Sequence, residues 1–476
     1  MNLPERPAEK YGKLVFEEVN RSRHQLVLNY RVDDIVFSTT YWYDTVNFHE
    51  LETRFGRAFM RQIYFHLLAF EANKAASLKP EVLDLGPYQD LYSDQFFELW
   101  RTIFQNVWGV WRHDNDITDY FGPQQLTGPQ RPQQPLAGPV TLSAGERLLN
   151  LCGGGKDSLV SAKLLERAGI PYDVMVYSHN IYGPAQRQHH LIDGMLQHTT
   201  ALNRHRAWVY DTALDSPAAQ LYPEYGVKHL LAAETVSSYW TALPIALQHD
   251  YTQVALGITK STDEHNLIWD KTGEEINYLW GMSTTAEKLL ADYIQTNLVS
   301  NLSYFHLLRP VYDLVVFNLL SRDAAAVPST HSCAQQKPWC GRCPKCIYVW
   351  MHLVAYLDEA VVEQMFDKNL FDLPENRTYI RKMLGLEGYK PCDCMGTVSE
   401  TQVAYLLCRA KGKTGQAVAD IGPGDISLDI TAFLQKYAQV DPPYGAIPPD
   451  LYEKIRPQLL EGADRAWNYV REHLQA

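Results

Sequence analysis

The sequence predicts an α/β protein built on a doubly wound parallel sheet. An N-terminal α+β domain precedes the sheet, and a mainly helical C-terminal region carrying a metal-binding cysteine module follows it. Three observations lead there. From residue 148 onward, short apolar runs alternate with helical periodicity, the pattern of βαβ units. The first of these runs leads directly into three consecutive glycines, Gly153, Gly154 and Gly155. Four of the eight cysteines crowd between Cys333 and Cys346.

At 476 residues, 46% hydrophobic and 21% charged, the chain has enough length for two or three domains with sizeable cores. Its net charge of −12 argues against general nucleic-acid binding, which needs a basic face. A small anionic ligand requires only a local cluster and remains compatible. The segment Met1 to Glu9 lacks the apolar core of a signal peptide, and no run of roughly 18 apolar residues exists to span a membrane. The expectation is a cytoplasmic protein without membrane contact.

Three β-like runs, Lys13–Val19, His24–Val32 and Asp34–Trp42, are separated by polar turns and predict an antiparallel meander. Leu51, Phe55, Phe59, Ile63 and Leu67 then recur every four residues, predicting one long helix. A second helix is expected over Asp94–Trp111. Its stripe of Phe97, Trp100, Phe104 and Trp108 reads as core at helical spacing, not as a base-stacking platform. Gly122 to Pro139 is rich in Pro, Gln and Gly and reads as a linker. Strands are expected at Leu148–Cys152, Tyr172–Tyr177, Ala207–Tyr210 and Gln253–Ile258, with an amphipathic helix from Asp157 to Ala168. The expected domains are 1–121, a linker at 122–140, the sheet domain at 141–330, a cysteine module at 331–350 and a helical region at 351–476, ending in a helix over Asp450–Leu474.

The first loop carries the chemistry. Glycines between a strand and a helix N-terminus let backbone N–H groups approach an anion closely, where the helix dipole favours negative charge. The spacing of Gly153-Gly154-Gly155-Lys156-Asp157-Ser158 is not that of a Walker loop. A second strand-to-glycine junction follows at Gly257, leading into Lys260, Ser261, Asp263 and Glu264. There the two carboxylates suit Mg²⁺ and Lys260 suits a phosphate as a point charge. Cys333, Cys340, Cys343 and Cys346, with two C-x2-C steps, suit tetrahedral zinc in a closed structural site; an iron–sulfur cluster is the alternative. His265, His331 and His189-His190 are lone or paired histidines to which the sequence assigns no role.

The Gly-Gly-x-Asp-Ser order resembles the pyrophosphate loop of N-type ATP pyrophosphatases. Further phrases narrow the resemblance: Leu149 to Ser158, Gly257 with Ser261-x-Asp263-Glu264-x-Asn266, and Glu275-Ile276-Asn277. Tyr304 to Pro310, Trp339 to Cys346, and Lys390-Pro391-x-Asp393-Cys394-x-Gly396 complete them. In this order they are similar to the ATP-dependent UDP-N-acetylmuramoyl-L-alanyl-L-glutamate epimerase family, and more distantly to 7-cyano-7-deazaguanine synthases and their relatives in DNA modification and phage defence. The resemblance implies ATP and Mg²⁺ as cofactors, structural Zn²⁺, and a nucleotide-sugar-peptide or other small-molecule substrate whose carboxylate is adenylated with release of pyrophosphate. It implies Gly153, Gly154, Gly155, Ser158, Gly257, Lys260 and Ser261 as nucleotide-binding, and Lys156, Asp157, Asp263, Glu264 and Cys394 as candidate catalytic residues. Cys394 reads equally as acid, base or structural thiol. An amide- or nitrile-forming enzyme and a non-catalytic nucleotide-binding module are the alternatives, and homo-oligomerisation stays open. One departure falls at Tyr278-Leu279-Trp280-Gly281-Met282-Ser283, where the family continues with a His-Gln-x-Ser-Lys-Ser-like stretch. The loss of a histidine and a lysine there bears on which substrate is used and on a base needed for proton transfer.

Overall fold

The computed structural model describes residues 12–127, 137–143, 145, 147–215, 226–333, 335–422, 424–442 and 446–474. The segment Met1 to Glu9 and half of the Pro/Gln/Gly-rich stretch lie outside them. Alternating burial opens the chain: β1 (Lys13–Phe16), β2 (Asn20–Arg21), β3 (Gln25–Val32) and β4 (Ile35–Tyr43) form the expected antiparallel meander. The single long helix expected next is broken into α1 (Phe48–Phe55) and α2 (Arg57–Ala72). Gly56 lies between them at φ 85°, ψ 148°, a backbone that residues with a Cβ avoid, so the four-residue period continues while the helix does not. β5 (Val82–Asp84) follows. The helix expected over Asp94–Trp111 is likewise two, α3 (Asp94–Val107) and α4 (Gly109–Asp114), divided at Trp108. Its aromatic stripe is core. The indole N–H groups of buried Trp100 and Trp108 donate to Ala69 O and Asn73 Oδ1, each at 2.8 Å.

β6 (Gln125–Thr127) lies within the stretch read as linker. The alternating region then supplies β7 (Leu148–Cys152), α5 (Lys156–Arg167), β8 (Tyr172–His179), α6 (Ala185–Leu196), β9 (Arg204–Asp211), α7 (Gly226–His249) and β10 (Gln253–Leu256). A small ribbon, β11 (Leu267–Ile268) with β12 (Glu275–Ile276), precedes α8 (Thr284–Asn297), β13 (Ser303–His306) and α9 (Asp313–Leu320).

The strands β13-β10-β7-β8-β9 are parallel in that spatial order. The chain therefore moves outward from β7 through β8 and β9, then returns to the other side of β7 for β10 and β13. Strand order reverses between β7 and β10, and in open α/β sheets ligands bind outside the carboxyl ends of the strands at such a switch point. Period-two alternation divides the strand side chains between two cores. Leu149, Leu151, Met175, Val254 and Tyr304 belong to the core with α2, α7 and α8. Leu148, Cys152, Val174, Ala255 and Phe305 belong to the core with α5, α6 and α9. Both faces of the sheet are thus covered by helices.

β4 pairs antiparallel with β9, from Thr39 opposite Asp211 to Tyr43 opposite Ala207, so one 11-stranded sheet runs through the meander and the parallel strands. The C-terminal region is helical: α10 (Pro344–Tyr356), α11 (Glu359–Glu363), α12 (Arg377–Met383), α13 (Val398–Ala410), α14 (Ile430–Tyr437) and α15 (Pro449–Leu474). Among the described residues, no helix is long and apolar enough to cross a membrane.

Candidate active site at the sheet switch point

β7 and β10 end side by side, and each delivers a glycine turn to the switch point. The N–H of Gly153 donates to Ser158 Oγ at 3.2 Å, which folds the first loop back over its own helix. Gly154 adopts φ +80°, and its carbonyl accepts from the His331 N–H at 2.9 Å. Gly155 begins α5 with no side-chain cap, unlike α13, whose Thr397 and Glu400 form a reciprocal capping box. The first turn of α5 thus offers backbone N–H groups and the positive end of the helix dipole. Gly257 packs against that same turn. A Cβ there would lie 2.6 Å from Ser161 Oγ and 2.8 Å from the Asp157 carbonyl oxygen. The two loops can sit this close only with glycine at 257.

A two-lobed cleft opens beside them. The larger lobe, about 280 Å³, is lined by Gly153, Gly155, Asp157, Ser158, Gly257, Tyr177, Tyr182 and Tyr278, among others. The smaller lobe, about 130 Å³, takes in Lys156, Asp157, Gly257, Thr259, Leu279 and Asp313. Asp157, Gly257, Met282, Lys345 and Cys394 line both lobes. Tyr278, Leu279 and Met282 come from the stretch that departs from the family pattern, which therefore faces the cleft. Asn266 and Asn277 hold this stretch in place: Tyr278 N donates to Asn266 Oδ1 at 2.9 Å, and Asn277 Nδ2 to Thr262 O at 2.9 Å.

Lys156 is 3% exposed and its ammonium lies 2.6 Å from Asp157 Oδ1 and 3.2 Å from Asp313 Oδ2. Asp313 also accepts from Thr259 Oγ1 and Tyr348 OH, both at 2.8 Å. Burial opposes its charge, but Lys156, Lys345 and these hydroxyls together bring the carboxyl down to about 2. Asp157 is raised, because desolvation outweighs the pull of Lys156. Next to Asp313, Glu400 is pushed up to about 7, first by burial and then by the Asp313 charge.

The remaining predicted residues of the second loop stand behind the cleft. Ser261 is buried; its hydroxyl donates to Glu400 Oε1 at 3.1 Å and accepts from Asp313 N at 2.9 Å. Lys260 is paired with Asp441 and lies over the Tyr312 ring. Asp263 accepts from Thr284 N and Oγ1, each at 2.7 Å, at the start of α8, and Glu264 accepts from Tyr437 OH at 3.4 Å. Arg309, buried against Glu287, supports this loop by donating to Thr259 O at 2.9 Å and Thr262 Oγ1 at 3.1 Å.

The four cysteines converge. All four Sγ atoms lie within 4.8 Å of one another, with Cys333 and Cys343 at 3.7 Å and Cys340 and Cys346 at 3.8 Å. Tetrahedral zinc with Zn–S bonds of about 2.3 Å separates its thiolates by about 3.8 Å, so the set fits such an ion. Backbone N–H groups of Gln336, Cys343 and Cys346 point at Sγ of Cys333, Cys340 and Cys343. The cluster can hold a metal ion, and the two residues before Cys333 abut the first loop. A Cβ on Gly155 would meet Ser332 Oγ at 2.9 Å, and one on Gly154 would collide with the His331 ring.

Several cleft residues had no role assigned from sequence. Asp313, Lys337, Lys345 and Asp393 are distant in sequence from the glycine loops, and only the fold brings them there. Lys345 and Asp393 did lie inside the family-like phrases, which was the available signal.

The fold and cleft define an α/β protein with its site at the switch point of a parallel sheet. More narrowly, residues 329–420 match the MurL C-terminal domain family. The chain is also 27% identical over 296 residues to a UDP-N-acetyl-alpha-D-muramoyl-L-alanyl-L-glutamate epimerase of Salinispora tropica, covering 59% of each chain. It is 28% identical over 277 residues to one from a Micromonospora species, covering 55% of this chain and 56% of that one. A third, from Xanthomonas oryzae pv. oryzae, is 26% identical over 332 residues, covering 64% and 66%. The match spans about three fifths of the length of the first two of these relatives. The resemblance to this epimerase family, read from the residues, is borne out by both comparisons. No solved structure matches the chain significantly.

Proposed function

We propose that this protein adenylates a substrate carboxylate with ATP, in an N-type ATP-pyrophosphatase fold, and epimerises the terminal L-glutamyl residue of a UDP-N-acetylmuramoyl-peptide through the acyl-adenylate. One observation carries the reading: two glycine turns flank the switch point, where backbone N–H groups of α5 and a two-lobed cleft meet. The resemblance to proteins named as epimerases supplies the outcome.

The chemistry is coherent. An α-proton beside a carboxylate is hard to remove because the product concentrates two negative charges. Adenylation replaces the carboxylate by an electron-withdrawing acyl group, and a modest base then suffices. Reprotonation on the opposite face inverts the centre, and hydrolysis releases AMP and the epimerised acid. Gly153, Gly155 and Ser158 would hold the pyrophosphate, and Gly257 allows the second loop to close on it. Asp157, a carboxylate facing the cleft, would hold Mg²⁺, which supplies charge neutralisation at the phosphates. Cys394, on the wall shared by both lobes, is the acid or base candidate. Asp263, Glu264 and Lys260 act as supports of the second loop.

Pyrophosphate release from ATP, followed with UDP-N-acetylmuramoyl-L-alanyl-L-glutamate and Mg²⁺, tests the reading. Release is expected only with the peptide present, and Asp157→Ala should abolish it. Release indifferent to Asp157→Ala would remove the loop from the mechanism.

A further inference from the structure

A nucleotide triphosphate brings about four negative charges, and the larger lobe draws its lysines from outside the glycine loops. Lys156 is buried between Asp157 and Asp313, and Lys260 is paired with Asp441 behind the cleft. Lys156 lines the smaller lobe, while the described lysines lining the larger one, Lys337 and Lys345, both lie inside the cysteine module, interleaved with its metal-ligand positions. Lys337 lies 5.0 Å over the ring of Tyr182, which belongs to the turn after β8 and also lines the larger lobe. Lys345 lies in the first turn of α10, between Cys343 and Cys346; its ammonium donates to the Cys394 carbonyl and its charge acts on the carboxylates of Asp393, Asp157 and Asp313. A third residue on this wall, His331, is 1% exposed, and neither of its ring nitrogens has a hydrogen-bond partner among the described residues. A buried imidazole without partners is unfavourable unless a bound group satisfies it.

We infer that the cysteine module is the cationic wall of the phosphate site: Lys337 and Lys345 bind the phosphates of the nucleotide, and His331 completes the wall against Gly154. The inference rests on the ATP reading above and adds a second role to a module whose thiolates leave no coordination position open for chemistry. A metal held by the four thiolates would fix the short chain between Cys333 and Cys346, and that chain carries both lysines. The glycine loop supplies neutral donors and the module supplies charge, so affinity for phosphates should depend on residues more than 170 positions away in sequence.

Calorimetric titration of the full chain with ATP, inorganic pyrophosphate and adenosine tests this, using the wild type, Lys337→Met and Lys345→Met. Each substitution keeps the side-chain stem and removes the charge. Affinity for ATP and pyrophosphate should fall roughly tenfold or more in each, as charge-assisted contacts do, with adenosine unaffected. Lys345→Arg should recover much of the loss, and thermal unfolding of each variant confirms that it is folded. Unchanged pyrophosphate affinity in both Met variants would overturn the inference, as would an equal loss for adenosine. If the wild type binds ATP and pyrophosphate and the variants bind them equally, the inference alone fails. If the wild type binds neither, the ATP reading fails with it.

Discussion

Lys156 and Asp313 face each other at 3.2 Å with almost no access to water, although 157 positions separate them in sequence. The pair joins the first turn of α5 to the start of α9 and fixes the floor of the smaller lobe. Removing one partner of a buried pair leaves an uncompensated charge, which typically costs about 3–5 kcal/mol. Lys156→Met should therefore lower stability by that order in chemical denaturation, and a loss below about 1 kcal/mol would contradict a buried pair of this kind. The pH dependence has a definite sign. Because the Asp313 carboxyl is held at about 2 in the folded chain, its contribution is present above the ordinary carboxylate range. That contribution is lost as pH falls from about 4 towards 2.

Glu400 has the opposite sign. Its carboxyl is raised to about 7, so between its ordinary value of 4.5 and about 7 the folded chain holds a proton that the unfolded chain has released. Stability should decline as pH rises through that window and level off above it. Glu400→Gln, which retains the hydrogen-bonding shape of the protonated acid, should flatten the decline, an effect of up to about 3 kcal/mol. Urea midpoints at pH 5, 6, 7 and 8 measure it; parallel profiles for variant and wild type would count against the assignment.

Gly257→Ala places a methyl group 2.6 Å from Ser161 Oγ and 2.8 Å from a backbone oxygen that has no freedom to rotate away. Overpacking of this kind costs about 1–3 kcal/mol, and here the relief must come from separating the two loops. The variant should fold with a lowered Tm and lose measurable ATP affinity. Wild-type affinity in Gly257→Ala would show that the loops need not meet.

The cysteine cluster should bind one zinc per chain, and Cys343→Ser or prolonged chelation should lower Tm substantially, since metal binding and folding are linked. Elemental analysis read beside thermal unfolding tests this. A full-strength Tm in metal-free protein would make the thiolates dispensable to the fold.

Much of this was legible in the residues. β7 appears over Leu148–Cys152 as the apolar run indicated, and α5 begins one residue before the expected Asp157. The cysteines converge because a C-x2-C step is a local geometric constraint. Helix continuity across Gly56 and at Trp108 was not legible, because a four-residue apolar period persists through a break that keeps the same face buried. The pairing of β4 with β9 was hidden too, since Trp42 and Trp208 meet across it from 166 positions apart. In the site, Gly153, Gly155, Asp157, Ser158, Gly257 and Cys394 reach the cleft, while Lys260, Asp263 and Glu264 turn to partners on α8, α14 and the segment before α15. A polar cluster after a strand signals a loop at the right end of the sheet, but not which side chains point inward. That depends on Asp441, Thr284 and Tyr437, which the local sequence does not contain.

The most direct measurement is deuterium incorporation from heavy water at the α-carbon of the terminal glutamyl residue of UDP-N-acetylmuramoyl-L-alanyl-L-glutamate, with and without ATP. The account predicts exchange and formation of the D-glutamyl product only when ATP is supplied, with AMP produced alongside. Exchange at the same rate without ATP, or AMP formation with no exchange at that carbon, would contradict it.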